Sequence, residues 1–358
     1  MEGKTSTSGL RILCLCMVCA LLGGLCGYLA AGARNDKRIT ALEAALVNGD
    51  GEALTGPEIY DLAQAQAVAI KSEYSTTNLF GVTTPNAVSG TGMVLTEDGY
   101  ILTSYHIVEK AAHNDTEVGV LFSDGREFSA TIAGFEVSMD LAVLKIDATG
   151  LTPITPGDSD ALRVGERVYT EGNNLGDLSF SQSSGAVSAL DRTITATIGG
   201  GQVPLRVFQL DAAINSGSSG GPVYNERGEV VGVVTAKYTS NGVEGLGFAI
   251  PINEAMKAAE ELIRDGHIAD MAVLGAQLAD AQQGKKGALV EYVEPNSSVD
   301  RAGLQPGDAI TAIDGRRVST RSELEAVMKS YRAGDTAELM VNRGGETLKL
   351  NVVFDKAQ

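Results

Sequence analysis

The sequence predicts a mainly β protein: a larger domain of short strands, a smaller α+β unit behind it, and an N-terminal transmembrane helix ahead of both. Three observations carry this. Between residues 61 and 250, β-rich runs such as "LAVLKI", "ERVYTEG", "GAVSAL", "LRVFQLD" and "EVVGVVTA" recur between turns, at spacings typical of all-β barrels or sandwiches. The period then changes, because "PINEAMKAAEELIRDG" places Met256, Ala259, Leu262 and Ile263 on one helical face. At the other end, Ile12 to Ala33 is a run of 22 residues without a charge, the length of one bilayer-spanning helix.

Taken in chain order, residues 1–11 are a short N-terminal segment and 12–33 a signal anchor. Lys4 and Arg11 precede the apolar run while Arg34, Lys37 and Arg38 follow it, so flanking charge alone does not orient it. Ala31-Gly32-Ala33 fits the small-residue pattern of a cleavable signal peptide, but the run is long for one, and the uncleaved anchor is preferred. All four cysteines lie inside it, which leaves the rest of the chain without a disulfide framework or a thiolate metal site. No cofactor is called for. Residues 34–60, mixed in pattern and containing "NGDGE", read as a stalk.

Charge narrows the function classes. Residues 1–38 hold five basic and two acidic side chains, so the formal charge is −17 for the whole chain and −20 for the remainder. So negative a surface argues against nucleic acid, whose phosphates require clustered Lys and Arg. A metalloprotease is disfavoured too, since no His-Glu-x-x-His occurs among the three histidines.

Residues 61–255 form the larger domain. Within it "TGMVLTEDGYILTS" is a hairpin that bends at Glu97-Asp98-Gly99. A helix over 256–270 closes the domain, with Asn253 at an N-cap position and Gly266 as terminator. Residues 271–356 make the second unit. Its helix opens with Thr320-Arg321-Ser322-Glu323, a capping-box spacing, and buries Leu324, Val327, Met328 and Tyr331.

The stretch "LDAAINSGSSGGPVYN" holds three serines among glycines. Gly217-Ser218-Ser219-Gly220-Gly221 also fits the Gly-x-Ser-x-Gly elbow of α/β-hydrolases, but that fold needs a helix next, and here Pro222 and two strand-like runs follow. As Gly-x-Ser-Gly-Gly, the segment instead puts Ser219 on a tight turn between strands, with the N–H groups of Gly217 and Ser219 converging on an oxyanion. Ser216 and Ser218 are then turn residues. A serine needs a base. His106 directly follows the strand "GYILTS", with Val108 and Ala111 continuing an apolar face, whereas His113 and His267 sit in polar, turn-like settings. Asp140, at the mouth of the apolar strand "LAVLKI", would orient the imidazole; Asp147 beyond that strand faces solvent. The order His106, Asp140, Ser219 is the chymotrypsin order and not that of subtilisin or the hydrolases.

The segments "GYILTSYHIV", "MDLAVLKI", "SSGAVSALDR", "DAAINSGSSGGPVYN" and "GLGFAIP" together resemble the HtrA (Deg) family of trypsin-like serine proteases, and the resemblance extends over about residues 60–355. It implies a chymotrypsin-like pair of six-stranded β-barrels with the site in the cleft, ATP-independent proteolysis of unfolded or damaged proteins, a homotrimer, and a protease domain outside the cytoplasm on a single-pass anchor. "EPNSSVDRAGLQPGDAITAIDG" resembles a PDZ domain, whose peptide-binding loop would be Val273, Leu274, Gly275 and Ala276, holding a peptide C-terminus while the peptide adds a strand. "GLGF" at Gly245–Phe248 mimics that loop, but precedes the closing helix and reads as the last barrel strand. The resemblance places Asn173, Asn174, Leu175, Asn215, Thr235 and Ala236 around the primary specificity pocket. The chain departs from the family at Ser216 and Ser218, where Pro and Asn are usual, and at Asn174, where a proline is usual; the first two changes remove local constraint from the oxyanion loop. The rival class is a non-catalytic chaperone or PDZ sensor on a protease fold.

Overall fold

The chain enters its first domain through a helix. In the computed structural model, which describes residues 53–77, 83–114, 116–173, 180–237, 245–281 and 286–356, helix α1 (Gly56–Gln66) runs across the expected boundary at residue 60. Glu58 reaches back to accept the Thr55 N–H at 2.9 Å, fixing the helix start, and Ile59, Leu62 and Ala63 bury one face. The stalk expected over 34–60 therefore ends earlier, because Ile59 is drawn into the core that both barrels share. The apolar segment 12–33 lies outside the described residues; among those described, no helix is long and apolar enough to cross a membrane.

The first barrel is built from β1 (Ala67–Thr77), β2 (Thr83–Val94), β3 (Tyr100–Thr103), β4 (Val118–Phe122), β5 (Glu127–Glu136) and β6 (Leu141–Ile146). It closes in the order β1-β2-β3-β6-β5-β4, since β1 pairs with both β2 and β4. Strict alternation decides which face turns inward: Val118, Val120 and Phe122 of β4 are buried while Gly119 and Leu121 face out. Gly99, at φ 103°, makes the expected bend between β2 and β3. Between β3 and β4 runs α2 (Tyr105–Asn114), which buries Tyr105, Ile107, Val108 and Ala111. His113, expected in a turn, sits inside that helix, where its Nδ1 pairs with the Glu109 carbonyl.

The second barrel repeats the plan with β7 (Arg167–Gly172), β8 (Ser181–Ile198), β9 (Gly201–Leu210), β10 (Pro222–Tyr224), β11 (Val230–Lys237) and β12 (Gly247–Pro251), closed in the order β10-β11-β12-β9-β8-β7. The "GFAIP" run is thus a barrel strand. Helix α3 (Ile252–Asp265) follows and packs on β5 and β6 of the first barrel. It ends at Gly266 in the left-handed region, as the sequence indicates, but begins earlier than expected, with Pro251 as N-cap. Asn253 is instead recruited by the neighbouring loop: its Oδ1 accepts the Ser159 N–H and its Nδ2 donates to Asp158.

The C-terminal unit has its own core around Leu304, Ile313, Leu339, Val341 and Phe354. Its strands are β13 (Ala272–Val273), β14 (Ala276–Asp280), β15 (Ala288–Val293), β16 (Ala309–Ile313), β17 (Arg316–Arg317), β18 (Thr336–Arg343), β19 (Glu346–Val353) and β20 (Asp355–Lys356). The main sheet runs β14-β15-β16-β18-β19, while β13 pairs with β20. Two helices complete it, α4 (Ser298–Arg301) and α5 (Arg321–Met328). Thr320 caps α5 by accepting the Glu323 N–H, and Glu323 returns the bond to Ser319 N–H at 2.6 Å.

One buried carboxyl group stands out beneath α1. Glu171 of β7 is 1% exposed; Gln64 donates to its Oε1 at 3.2 Å, and its Oε2 has no partner. Burial pushes its acid constant from 4.5 up to about 8 despite that hydrogen bond. The folded protein then holds a proton that the unfolded chain releases, so this residue's contribution to stability declines as pH climbs from 4.5 through 8. Glu171→Gln should remove that decline and stabilise the protein at pH 9 by about 1–3 kcal/mol. Thermal melts of both proteins from pH 5 to 9 check this; parallel curves contradict it.

Candidate active site

His106 is the second residue of α2, and its position is set by Tyr105. The Tyr105 ring is buried and stacks on Phe135 with centroids 4.9 Å apart, and its N–H donates to the Asp140 carbonyl at 3.1 Å. This pins the start of the helix against the turn that carries the carboxylate. That turn is a single 3-10 turn, Val137–Met139, ended by Asp140 in the left-handed conformation at φ 55°. Aspartate tolerates this region better than most residues, because its short side chain bonds locally.

The Asp140 carboxylate is 1% exposed and takes three kinds of donor. His106 Nδ1 lies 2.9 Å from Oδ2 and 3.0 Å from Oδ1, the His106 backbone N–H donates to Oδ1 at 3.0 Å, and the Thr235 hydroxyl donates to Oδ2 at 2.6 Å. Such a set satisfies a charge that burial alone would neutralise. Bonding at Nδ1 makes that nitrogen the donor and leaves Nε2 of the neutral ring as an acceptor. Burial disfavours the imidazolium, yet the Asp140 charge and hydrogen bond, with the Glu109 charge, outweigh it and raise the His106 acid constant above its ordinary 6.5.

Ser219 comes from the second barrel. Gly217 and Gly220 have φ 96° and 80°, and a Cβ at Gly220 would stand 2.2 Å from the Thr91 carbonyl and 2.4 Å from Thr103 Oγ1. Only glycine fits there. The turn is tied to the first barrel through Thr91, whose N–H donates to the Ser219 carbonyl at 2.8 Å and whose hydroxyl donates to the Gly217 carbonyl at 2.6 Å. The Ser219 hydroxyl is directed at the Thr235 carbonyl, 3.5 Å away, and among the described residues makes no hydrogen bond to His106. Thr235 thus touches both halves of the site: its hydroxyl holds Asp140 and its carbonyl faces Ser219. Among the described residues, the N–H groups of Gly217 and Ser219 have no hydrogen-bond partner, which leaves both open to an incoming oxyanion.

The other sequence-derived positions are spread more widely. Asn173 is buried and its N–H donates to Thr91 Oγ1 at 3.0 Å, while Asn215 is exposed, its carbonyl accepting Ser218 N–H. Asn174 and Leu175 lie outside the described residues. Ala236 pairs with Phe248 across β11 and β12. Thr235, expected in the pocket wall, has its side chain committed to Asp140; it stands where the β11–β12 register shifts between Val234 and Ala236. Ile214 belongs to the apolar core of the second barrel and is buried beside Gly247, where a Cβ would stand 2.6 Å from its Cγ1. Asp147 is exposed, as the sequence suggests, and so is His267. In the second unit, Val273 ends β13, Ala276 opens β14, and Leu274 and Gly275 (φ 68°) turn between them, with the Gly275 carbonyl accepting the Glu294 N–H at 2.9 Å. A groove bounded by Leu274, Ala276, Leu278, Leu324 and Met328 runs between β14 and α5.

A model of the trypsin-like peptidase domain matches residues 90–233, and a model of the PDZ domain matches residues 272–353. Over 324 residues the chain is 33% identical to the serine protease Do-like HtrA of Bacillus subtilis, a match that takes in 84% of this chain and 71% of that protein. The chain belongs to the HtrA family of serine proteases. It is also 38% identical over 272 residues to the probable periplasmic serine endoprotease DegP-like of Halomonas elongata, where the match covers 74% of this chain and the chain spans 55% of that relative's length. Among solved structures, the HtrA-type protease AlgW with decapeptide superposes with a TM-score of 0.63 at 25% identity, over 85% of this chain and 99% of that one. The serine endoprotease from Yersinia pestis gives a TM-score of 0.56 at 28% identity, over 86% of this chain and all of that one.

Two outcomes follow from the HtrA site. Thr235→Val removes a hydrogen bond to a buried carboxylate, worth roughly 1.5–3 kcal/mol, and should slow fluorophosphonate labelling of Ser219 by about 10- to 100-fold; an unchanged rate contradicts the role given to Thr235. In the native protein the labelling rate should fall on acidification with a midpoint above 6.5, because the base must be neutral and Asp140 holds its proton on. A midpoint below 6.5 in a labelling titration contradicts this.

Proposed function

We propose that this protein is a membrane-anchored, ATP-independent serine endopeptidase that degrades unfolded or damaged proteins outside the cytoplasm. What carries the reading is the buried Asp140 carboxylate, held by His106 Nδ1 and the Thr235 hydroxyl at 2.9 and 2.6 Å while the Thr235 carbonyl faces Ser219. Ser219 Oγ attacks the scissile carbonyl carbon as its proton passes to His106 Nε2. The C–O bond forms, the carbonyl electron pair moves onto oxygen, and the N–H groups of Gly217 and Ser219 receive it. Collapse breaks the C–N bond, and His106 delivers the proton to the leaving amine. Water then repeats the sequence on the acyl-enzyme. Asp140 stays ionised throughout and stabilises the imidazolium. For this step the Ser219 hydroxyl must leave the Thr235 carbonyl, 3.5 Å away, and turn to His106 Nε2 when substrate binds, since catalytic hydrogen bonds often form only in the complex.

Anchorage is supported by the uncharged run Ile12–Ala33, and an extracytoplasmic site by the periplasmic description of the Halomonas relative. A preference for small aliphatic residues before the scissile bond is what the family suggests. The loop from Val273 to Ala276 and the groove beside it would receive peptide C-termini, and a homotrimer is the assembly the family suggests. Ser219→Ala should abolish both casein cleavage without ATP and fluorophosphonate labelling while leaving the circular dichroism spectrum unchanged. Cleavage that persists in that variant overturns the assignment.

A further inference from the structure

Asp140 owes its aim to a turn of three residues, and that turn is gripped from two sides. The Glu136 carboxylate accepts the Ser138 N–H at 2.9 Å, capping the turn from within the first barrel. The Ser138 carbonyl is claimed from another domain: Lys329, the C-cap of α5, donates to it at 2.6 Å. The same ammonium donates to the Pro204 carbonyl of β9, so it bridges the two barrels at the point where the second unit docks. The Asp140 N–H closes the turn on the Val137 carbonyl at 3.2 Å, and its left-handed backbone depends on that closure.

We propose that Lys329 is a positioning residue for proteolysis: from the PDZ domain it fixes the turn that presents Asp140, and so sets how strongly the carboxylate holds the His106 imidazolium. The inference rests on the endopeptidase reading above. Burial draws the Lys329 acid constant down to about 8, against the opposing charges of Glu136, Glu325 and Glu254, in keeping with an ammonium enclosed between two domains. Arg316, Lys257 and Arg332 line the same junction, but their ion pairs go to Asp160 and Glu254, to Asp335, and to Glu261, away from the turn. Lys329 alone among these side chains bonds the segment that ends in Asp140.

Removing the ammonium leaves two carbonyls without their donor and frees the turn. Lys329→Met should lower kcat on a short peptide by about 10-fold with KM unchanged, an effect the size of one lost charge-assisted hydrogen bond. The acid limb should also move to lower pH, because Asp140 is the main group raising the His106 acid constant and Glu109, the other, is untouched. Lys329→Arg keeps a donor and should restore most of the activity. Arg316→Gln breaks the 3.1 Å pair with Asp160 at the same junction without touching Lys329 and should leave the acid limb in place. If Lys329→Met matches the wild type in kcat and pH profile, or if Arg316→Gln shifts the limb equally, the positioning role is wrong. Absence of activity in the wild-type protein would instead overturn the endopeptidase reading itself.

Discussion

Asp140 carries a carboxylate at 1% exposure, and its position is the constraint to which the catalytic cleft is built. An ion so placed costs several kcal/mol unless donors surround it. Here the donors come from α2 and from β11, one in each barrel, so satisfying the charge requires the barrels to meet. Thr91 makes the return connection from β2 to the nucleophile turn. The cleft therefore has two polar ties across it, one on each side of Ser219, set over the shared apolar core of Tyr105, Tyr224, Ile250 and Leu262.

The proposed triad is legible in the sequence because each member is needed for a property no other side chain supplies, and each stands where a strand gives way to a turn or helix. Glycines around Ser219 announced a backbone that a Cβ would obstruct, and the clash at Gly220 bears this out. Local signals also carried the hairpin at Gly99, the end of α3 at Gly266 and the cap at Thr320. Each of these is decided by residues within a few positions of one another.

Features decided at long range were not legible. Thr91 reads as an ordinary β-branched strand residue and the resemblance gives Thr235 only a place at the pocket, yet their hydroxyls serve partners 126 and 95 positions away. Asn253 has the right chemistry for a helix cap, but the Asp158–Ser159 loop competes for its side chain, and Pro251 takes the cap position. Glu171 breaks the rule that carboxylates stay in water, for α1 folds over it. The start of α1 inside the expected stalk has the same origin, since nothing near Ile59 in sequence reveals the two barrels it covers.

The junction with the PDZ domain carries three ion pairs, Arg316 to Asp160, Arg332 to Glu261 and Lys257 to Asp335, with Lys329 on two backbone carbonyls. His106 Nδ1–H donates to the buried Asp140 carboxylate at 2.9 Å, and proton NMR of the intact protein at low pH detects that bond. A His106 Nδ1–H resonance should stand far downfield of the amide envelope and be lost in Asp140→Asn. No such resonance at any pH, or its survival in Asp140→Asn, would contradict it.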